Sequence, residues 1–325
     1  MKKMGSRKVY IDEIAGILIF VMVMVHITAR ADIFGLNHRL LILFYYFMPW
    51  FYFKSGFLSK NINSNVPIIK NAAYKLLVPY LKYMCYGCII GLLLNPSCSF
   101  FLECAHSLAL SATCSGNIPL WFLLSLFIVK ILAPCIFRFA SRYEGASKFF
   151  FVIVLCVILI TIANFTRDNI LGKFQWLSHN MLGLVYYIIG VIYQKVKNNK
   201  GIISFILVLS IVLVCINYFL LPSFVHMKSN FLECGNYYLW CFSSAGACIL
   251  FESFMRHKNS GCKLFQLLGR NAMIILCTHW IILNVLSHIV PTTLNTHIRF
   301  IIILVILILV EFVIVKVKNG IYAEQ

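Results

Sequence analysis

YIDEIAGILIFVMVMVHITA, residues 10–29, decides the fold. From Ile14 to Val25 no side chain carries a charge or a hydrogen-bonding group. As a helix rising 1.5 Å per residue, the stretch is about 30 Å long, the thickness of a bilayer's hydrocarbon. Windows of similar character recur at 40–58, 77–95, 119–138, 148–165, 180–195, 201–220, 236–255, 272–290 and 298–317. The chain therefore reads as an all-α, polytopic membrane bundle of about ten transmembrane helices, with residues 1–325 forming a single membrane domain.

Composition excludes the soluble alternatives. Hydrophobic residues make up 61% of the 325 and charged residues 12%, and the mean hydropathy is +0.89. A soluble domain holds about twice that share of charge, so lipid must be the solvent for much of the surface. Lys and Arg number 28 against 10 Asp and Glu, a formal net charge of +18. No basic helix interleaved with stacking aromatics accompanies it, so nucleic acid is not an expected partner. The charge is a topology signal instead.

With the N-terminus placed in the cytoplasm, nineteen of the 28 basic residues fall in internal segments and six in external ones. The external six are Arg30, Arg39, Arg167, Lys173, Lys228 and Arg299. Even the last internal segment carries two, Lys316 and Lys318. Ten crossings then put both termini in the cytoplasm, and the expected location is the inner cell membrane. Lys2, Lys3, Arg7 and Lys8 ahead of the first window resemble the start of a signal peptide. Asp12 and Glu13 interrupt that pattern, which favours an uncleaved first helix. Of 13 cysteines most lie within apolar runs, while Cys98, Cys104 and Cys114 share an external loop where a bridge is conceivable. That loop, 96–118, has no Lys or Arg and leaves room for a short interfacial helix.

Ionisable residues within a bilayer are costly, so each is a functional candidate. The set is His26, Lys54, Lys82, Lys130, Glu252, His279 and Glu311, with Asp12 and Glu13 at the internal edge of the first span. By rise along the helix, His26 lies about 24 Å from that edge and Lys54 about 6 Å. Lys82, Glu252, Glu311 and His279 also fall in the inner half by the same measure. Plainer roles compete. Asp12 and Glu13 suit a helix N-terminus, Lys82 and Glu252 are near enough to the edge to snorkel, and Lys130 and Glu311 suit structural ion pairs. Asp12 and His26 lie on one stripe, within about 40° of each other but about 21 Å apart. Asp12 is thus too distant to orient the imidazole. The histidines are dispersed, with no HExxH pattern, so no metal is expected.

Four elements together resemble the acyltransferase 3 family of membrane-bound acyltransferases. The first is the opening Asp12, Gly16 and His26, in the register of D-x-[IL]-[RK]-G-[IL] followed by an apolar run and a His. The second is FMPWFYFKSGFL (47–58), the third WFLLSL (121–126), and the fourth LGRNA (268–272) running on to His279. They stand in the family's order and cover nearly the whole chain. The resemblance implies transfer of an acyl group, usually acetyl, from cytoplasmic acyl-CoA to a hydroxyl of a surface polysaccharide or its lipid-linked precursor. Acetyl-CoA would be a co-substrate rather than a bound cofactor. The family's basic residue before the glycine is Ala15 here; Lys54, at a similar depth on the next span, is expected to supply the missing charge. The expected catalytic residues are His26, as general base toward a sugar hydroxyl, and His279. Asp12, Lys54, Ser55, Lys130 and Arg270 are expected to bind the donor. A glycan or solute transporter, or an inactive relative that scaffolds polysaccharide assembly, shares the same features. The oligomeric state is open at this point.

Overall fold

A computed structural model describes residues 8–59, 66–167, 174–258 and 261–323. Lys2, Lys3, Arg7, Lys60 and Lys173, counted above, lie outside them. The expected helical membrane bundle is what these residues form. Nine helices among them are long and apolar enough to cross a membrane. Helix α1 (Val9–Arg30) sits at the centre, with fourteen of its 22 residues buried. Burial on nearly every side explains its weak amphipathicity: a helix enclosed by other helices has no polar face to present.

The second window is the exception. It is split into α2 (Phe34–Leu43) and α3 (Phe47–Phe57), separated by a turn. Pro49 explains the split. It has no N–H to bond the Tyr45 carbonyl, and its ring crowds that group, so a continuous helix through both is disfavoured. The two pieces still make one crossing. Phe57, at the end of α3, lies 4.6 Å below the Lys8 ammonium at the start of α1 and 4.5 Å from that of Lys197. The chain has thus returned to the face it left.

The third crossing joins α4 (Val66–Ala72) and α5 (Val78–Leu94) through a widened turn, Ala73–Leu77. Pro79 has the same effect here on the carbonyl of Lys75, which the wider turn accommodates. The external loop holds a fourteen-residue helix, α6 (Cys98–Ser111), capped by Ser97, longer than the short segment expected. Cys104 and Cys114 are free thiols, and the side chain of Cys98 lies outside the description. The bundle continues through α7 (Trp121–Ala140), α8 (Gly145–Arg167), α9 (Gln175–Val196) and α10 (Lys200–Cys215). Tyr186, Tyr187 and Tyr193 of α9 are buried against neighbouring helices, as a bundle-facing span requires.

Between α10 and α11 (Tyr237–His257) the chain forms an antiparallel hairpin of β1 (Phe224–His226) and β2 (Phe231–Cys234). The sequence reading held no strands. Phe224, Val225 and Met227 are buried, so the hairpin is wedged into the external mouth of the bundle. An eight-residue helix, α12 (Lys263–Arg270), then leads into α13 (Ala272–Ile289) and α14 (Thr296–Ala323).

Helix α12 positions the site. It lies across the first turns of α1 at a distance that only glycine permits. A Cβ on Gly16 would stand 1.8 Å from the Phe265 carbonyl oxygen, and one on Gly269 would stand 1.7 Å from that of Asp12. A similar crossing packs α3 on α9, where a Cβ on Gly56 would meet the Tyr187 carbonyl at 2.0 Å. Small residues at such crossings let backbones approach, the main source of helix attraction in lipid.

Candidate functional site

Two cavities penetrate the bundle from opposite faces. The inner one, of about 730 Å³, opens among α1, α3, the widened turn, α7 and the junction of α12 with α13. All five residues expected to hold a donor line it: Asp12, Lys54, Ser55, Lys130 and Arg270. Lys75 is a fourth cation on its wall, one the sequence reading had assigned to an internal loop. The window began at residue 77, but the helix extends below it and brings the exposed Lys75 to the cavity wall. Asp12 is buried and faces Arg270 at 3.8 Å. Ala15 is fully enclosed and does not reach this cavity. Four cations and one carboxylate therefore line a largely apolar chamber, which favours a polyanionic ligand.

The outer cavity, of about 390 Å³, is lined by His26, Trp121, Trp240 and the hairpin, including Lys228. Met48 and Leu276 line both cavities, so the two spaces adjoin there. Met48 lies in the first turn of α3, just after the break before Pro49. Irregular backbone at membrane depth is tolerated where it is enclosed by protein or borders a cavity, and this break borders one.

His26 is stacked on His279, with ring centroids 5.4 Å apart and planes at 22°. This corrects the depth inferred for His279. Rise along the ninth span alone put it in the inner half. Because α12 folds back over α1, α13 starts about two turns deeper, with Ala272 and Ile19 bordering the same cavity. His279 consequently lands level with His26. Its Nδ1 lies 2.6 Å from the Ile275 carbonyl, which requires the proton on that nitrogen. Nε2 is left as a lone-pair acceptor, buried and without a hydrogen-bond partner among the described residues. Trp280 meets the His26 ring edge-on at 5.0 Å, with the Arg30 guanidinium over its indole. Neither Trp280 nor Arg30 was singled out from sequence, since contacts around His26 depend on how α13 docks.

The intramembrane carboxylates, and Glu13 at the edge, have structural partners. Glu252 is fully buried and accepts from Tyr10 Oη and Tyr193 Oη, each at 2.8 Å. It does not snorkel, because two phenols replace water on both its oxygens. Glu13 accepts from Lys258 Nζ at 3.3 Å and from the Cys262 amide at 3.0 Å, so it ties the α11–α12 connection to α1. Glu311 takes a 2.6 Å hydrogen bond from Thr278 in place of the expected ion pair, and Lys130 faces the inner cavity. Lys82 does lie at the periphery, near Tyr83 and Tyr86.

Comparison with known families gives one match: a model described as an acyltransferase domain, that of the acyltransferase 3 family, aligns with residues 8–316. No curated protein matches the chain. No solved structure matches it either.

Proposed function

Because the chain belongs to the acyltransferase 3 family and is a multi-pass membrane acyltransferase in the general sense, we propose that it moves an acetyl group from cytoplasmic acetyl-CoA to a hydroxyl of a surface polysaccharide or its lipid-linked precursor. The observation that carries this reading is a cationic inner chamber set against a histidine-bearing outer one, with Met48 and Leu276 on the wall of both. The phosphates of the donor sit among Lys54, Lys75, Lys130 and Arg270, where charge-assisted hydrogen bonds replace hydration. Its uncharged arm extends past Met48 toward His26. The sugar enters from the opposite face.

His26, as neutral imidazole, takes the proton of the attacking hydroxyl. The oxygen bonds to the thioester carbonyl carbon, the carbon–sulfur bond breaks, and the departing thiolate takes up the proton from His26. The stacked His279, with its open Nε2, is a positioning residue that restricts the His26 ring to one plane. Holding both reactants across one narrow junction replaces a two-body encounter by a local step.

The test is transfer of radiolabel from acetyl-CoA to the polysaccharide fraction of membranes from cells carrying the gene. The expected result is labelled glycan with the wild-type protein and none with His26→Ala, which should still insert and still bind donor. Unchanged glycan acetylation with altered glycan export would instead favour a transporter.

A further inference from the structure

The outer cavity holds a cation that the transfer step does not use. Lys228 sits in the turn between β1 and β2 and lines the chamber with His26. Its position is fixed by the turn. Asn230, at φ 55°, adopts the left-handed conformation that asparagine tolerates. Its side chain donates to the Ala163 carbonyl at 2.6 Å and accepts from Tyr237 Oη at 2.6 Å. The turn is thereby tied to α8 and α11 together.

No carboxylate lines this chamber among the described residues. Glu233, the hairpin's own acid, is engaged elsewhere, with His38 at 3.0 Å on one oxygen and His226 at 2.7 Å on the other. Burial holds the Lys228 ammonium below the usual lysine range, with no acidic group opposing the shift. A lysine partly removed from water without a counter-ion is unfavourable on its own, and a ligand that supplies the missing negative charge relieves that cost. Trp240 adds a second unused donor: it is fully buried, lines the chamber, and its indole N–H has no partner among the described residues. Trp121 offers an aromatic ring on the same wall, suited to the apolar face of a sugar.

We propose that the outer chamber selects an acceptor carbohydrate bearing a negative charge, a carboxylate or a phosphate group, seated on Lys228 while its neighbouring hydroxyl faces His26. This rests on the acyl-transfer reading for the role of His26, but the anion preference is measured without turnover.

The experiment uses the full-length protein in nanodiscs. Its thermal stability is measured against three probes (a uronate disaccharide, a phosphorylated hexose and neutral maltose) and separately against acetyl-CoA. The charged sugars should stabilise the wild type at concentrations on the order of tenfold below maltose, and the stronger of the two identifies the anion. Lys228→Gln should abolish that preference, Lys228→Arg should keep it, and acetyl-CoA should stabilise all three proteins equally. Equal response to charged and neutral sugars, response to none of them, or a preference that survives Lys228→Gln overturns the proposal. Should acetyl-CoA fail to bind while the charged sugars still do, the transfer reading falls and the anion site stands.

Discussion

At the scale of single residues, the charges gather in the inner chamber and His26 lies in the outer one. Lys54 and Lys130 line it on different helices, and each offers a point charge to a phosphate. Lys54→Ala and Lys130→Gln should each raise the KM for acetyl-CoA by roughly tenfold, a loss of about 1.4 kcal/mol. If Lys54 also replaces the basic residue absent at Ala15, its loss should reduce kcat as well. Initial rates over a range of donor concentrations separate the two, and unchanged kinetics in both variants would remove these lysines from the donor site. Of the five inner-chamber residues named from the sequence, Lys54 and Lys130 were conspicuous as charges in apolar windows and Asp12 as one at a window edge, whereas Ser55 and Arg270 came only from the motifs that carry the family resemblance. Lys228 and Lys75 were not legible, because a lysine outside such a window reads as a topology marker. Only the hairpin and the downward extension of α4–α5 bring those two to the cavity walls.

At the scale of elements, the α1–α12 crossing governs where the histidines meet. Gly269→Val places new atoms against the Asp12 carbonyl, and backbone cannot yield as a side chain can. The expected cost is about 1–3 kcal/mol or more, seen as a lower melting temperature in detergent. Gly35→Ala, a helical position where a Cβ meets nothing, is the control and should leave stability unchanged or raise it by up to about 1 kcal/mol. If the Gly269 variant melts like wild type, α12 does not dock as described. Sequence periodicity found the long spans because lipid imposes a length on them. It missed α12 and the hairpin, since short segments held by neighbours carry no such constraint. The break at Pro49 was visible as a proline in a window, yet hydropathy continues across it and a single helix was expected.

At the scale of the whole molecule, the two chambers adjoin at one place, where Met48 and Leu276 line both. Met48→Trp should block that point, abolishing transfer while acetyl-CoA still binds through its phosphates, with lower affinity; calorimetric titration and the label assay measure each. Retained transfer would mean that the reactants meet elsewhere. The overall bundle was legible from composition and the spacing of basic residues, whereas the adjacency of the chambers depends on α3, α12 and α13 packing at once. One consequence concerns the surrounding lipid. Helix α13 has eighteen residues, about 27 Å of length, and it begins on top of α12 rather than at the membrane edge. It is therefore shorter than an average hydrocarbon layer of about 30 Å. Its inner end is set by α12 rather than by the membrane edge, so a change in bilayer thickness loads the α12–α13 junction. Reconstitution in bilayers of increasing acyl-chain length should slow turnover progressively, because a thicker leaflet pulls His279 out of level with His26. The stacked rings would then act as a gauge of the membrane they lie in.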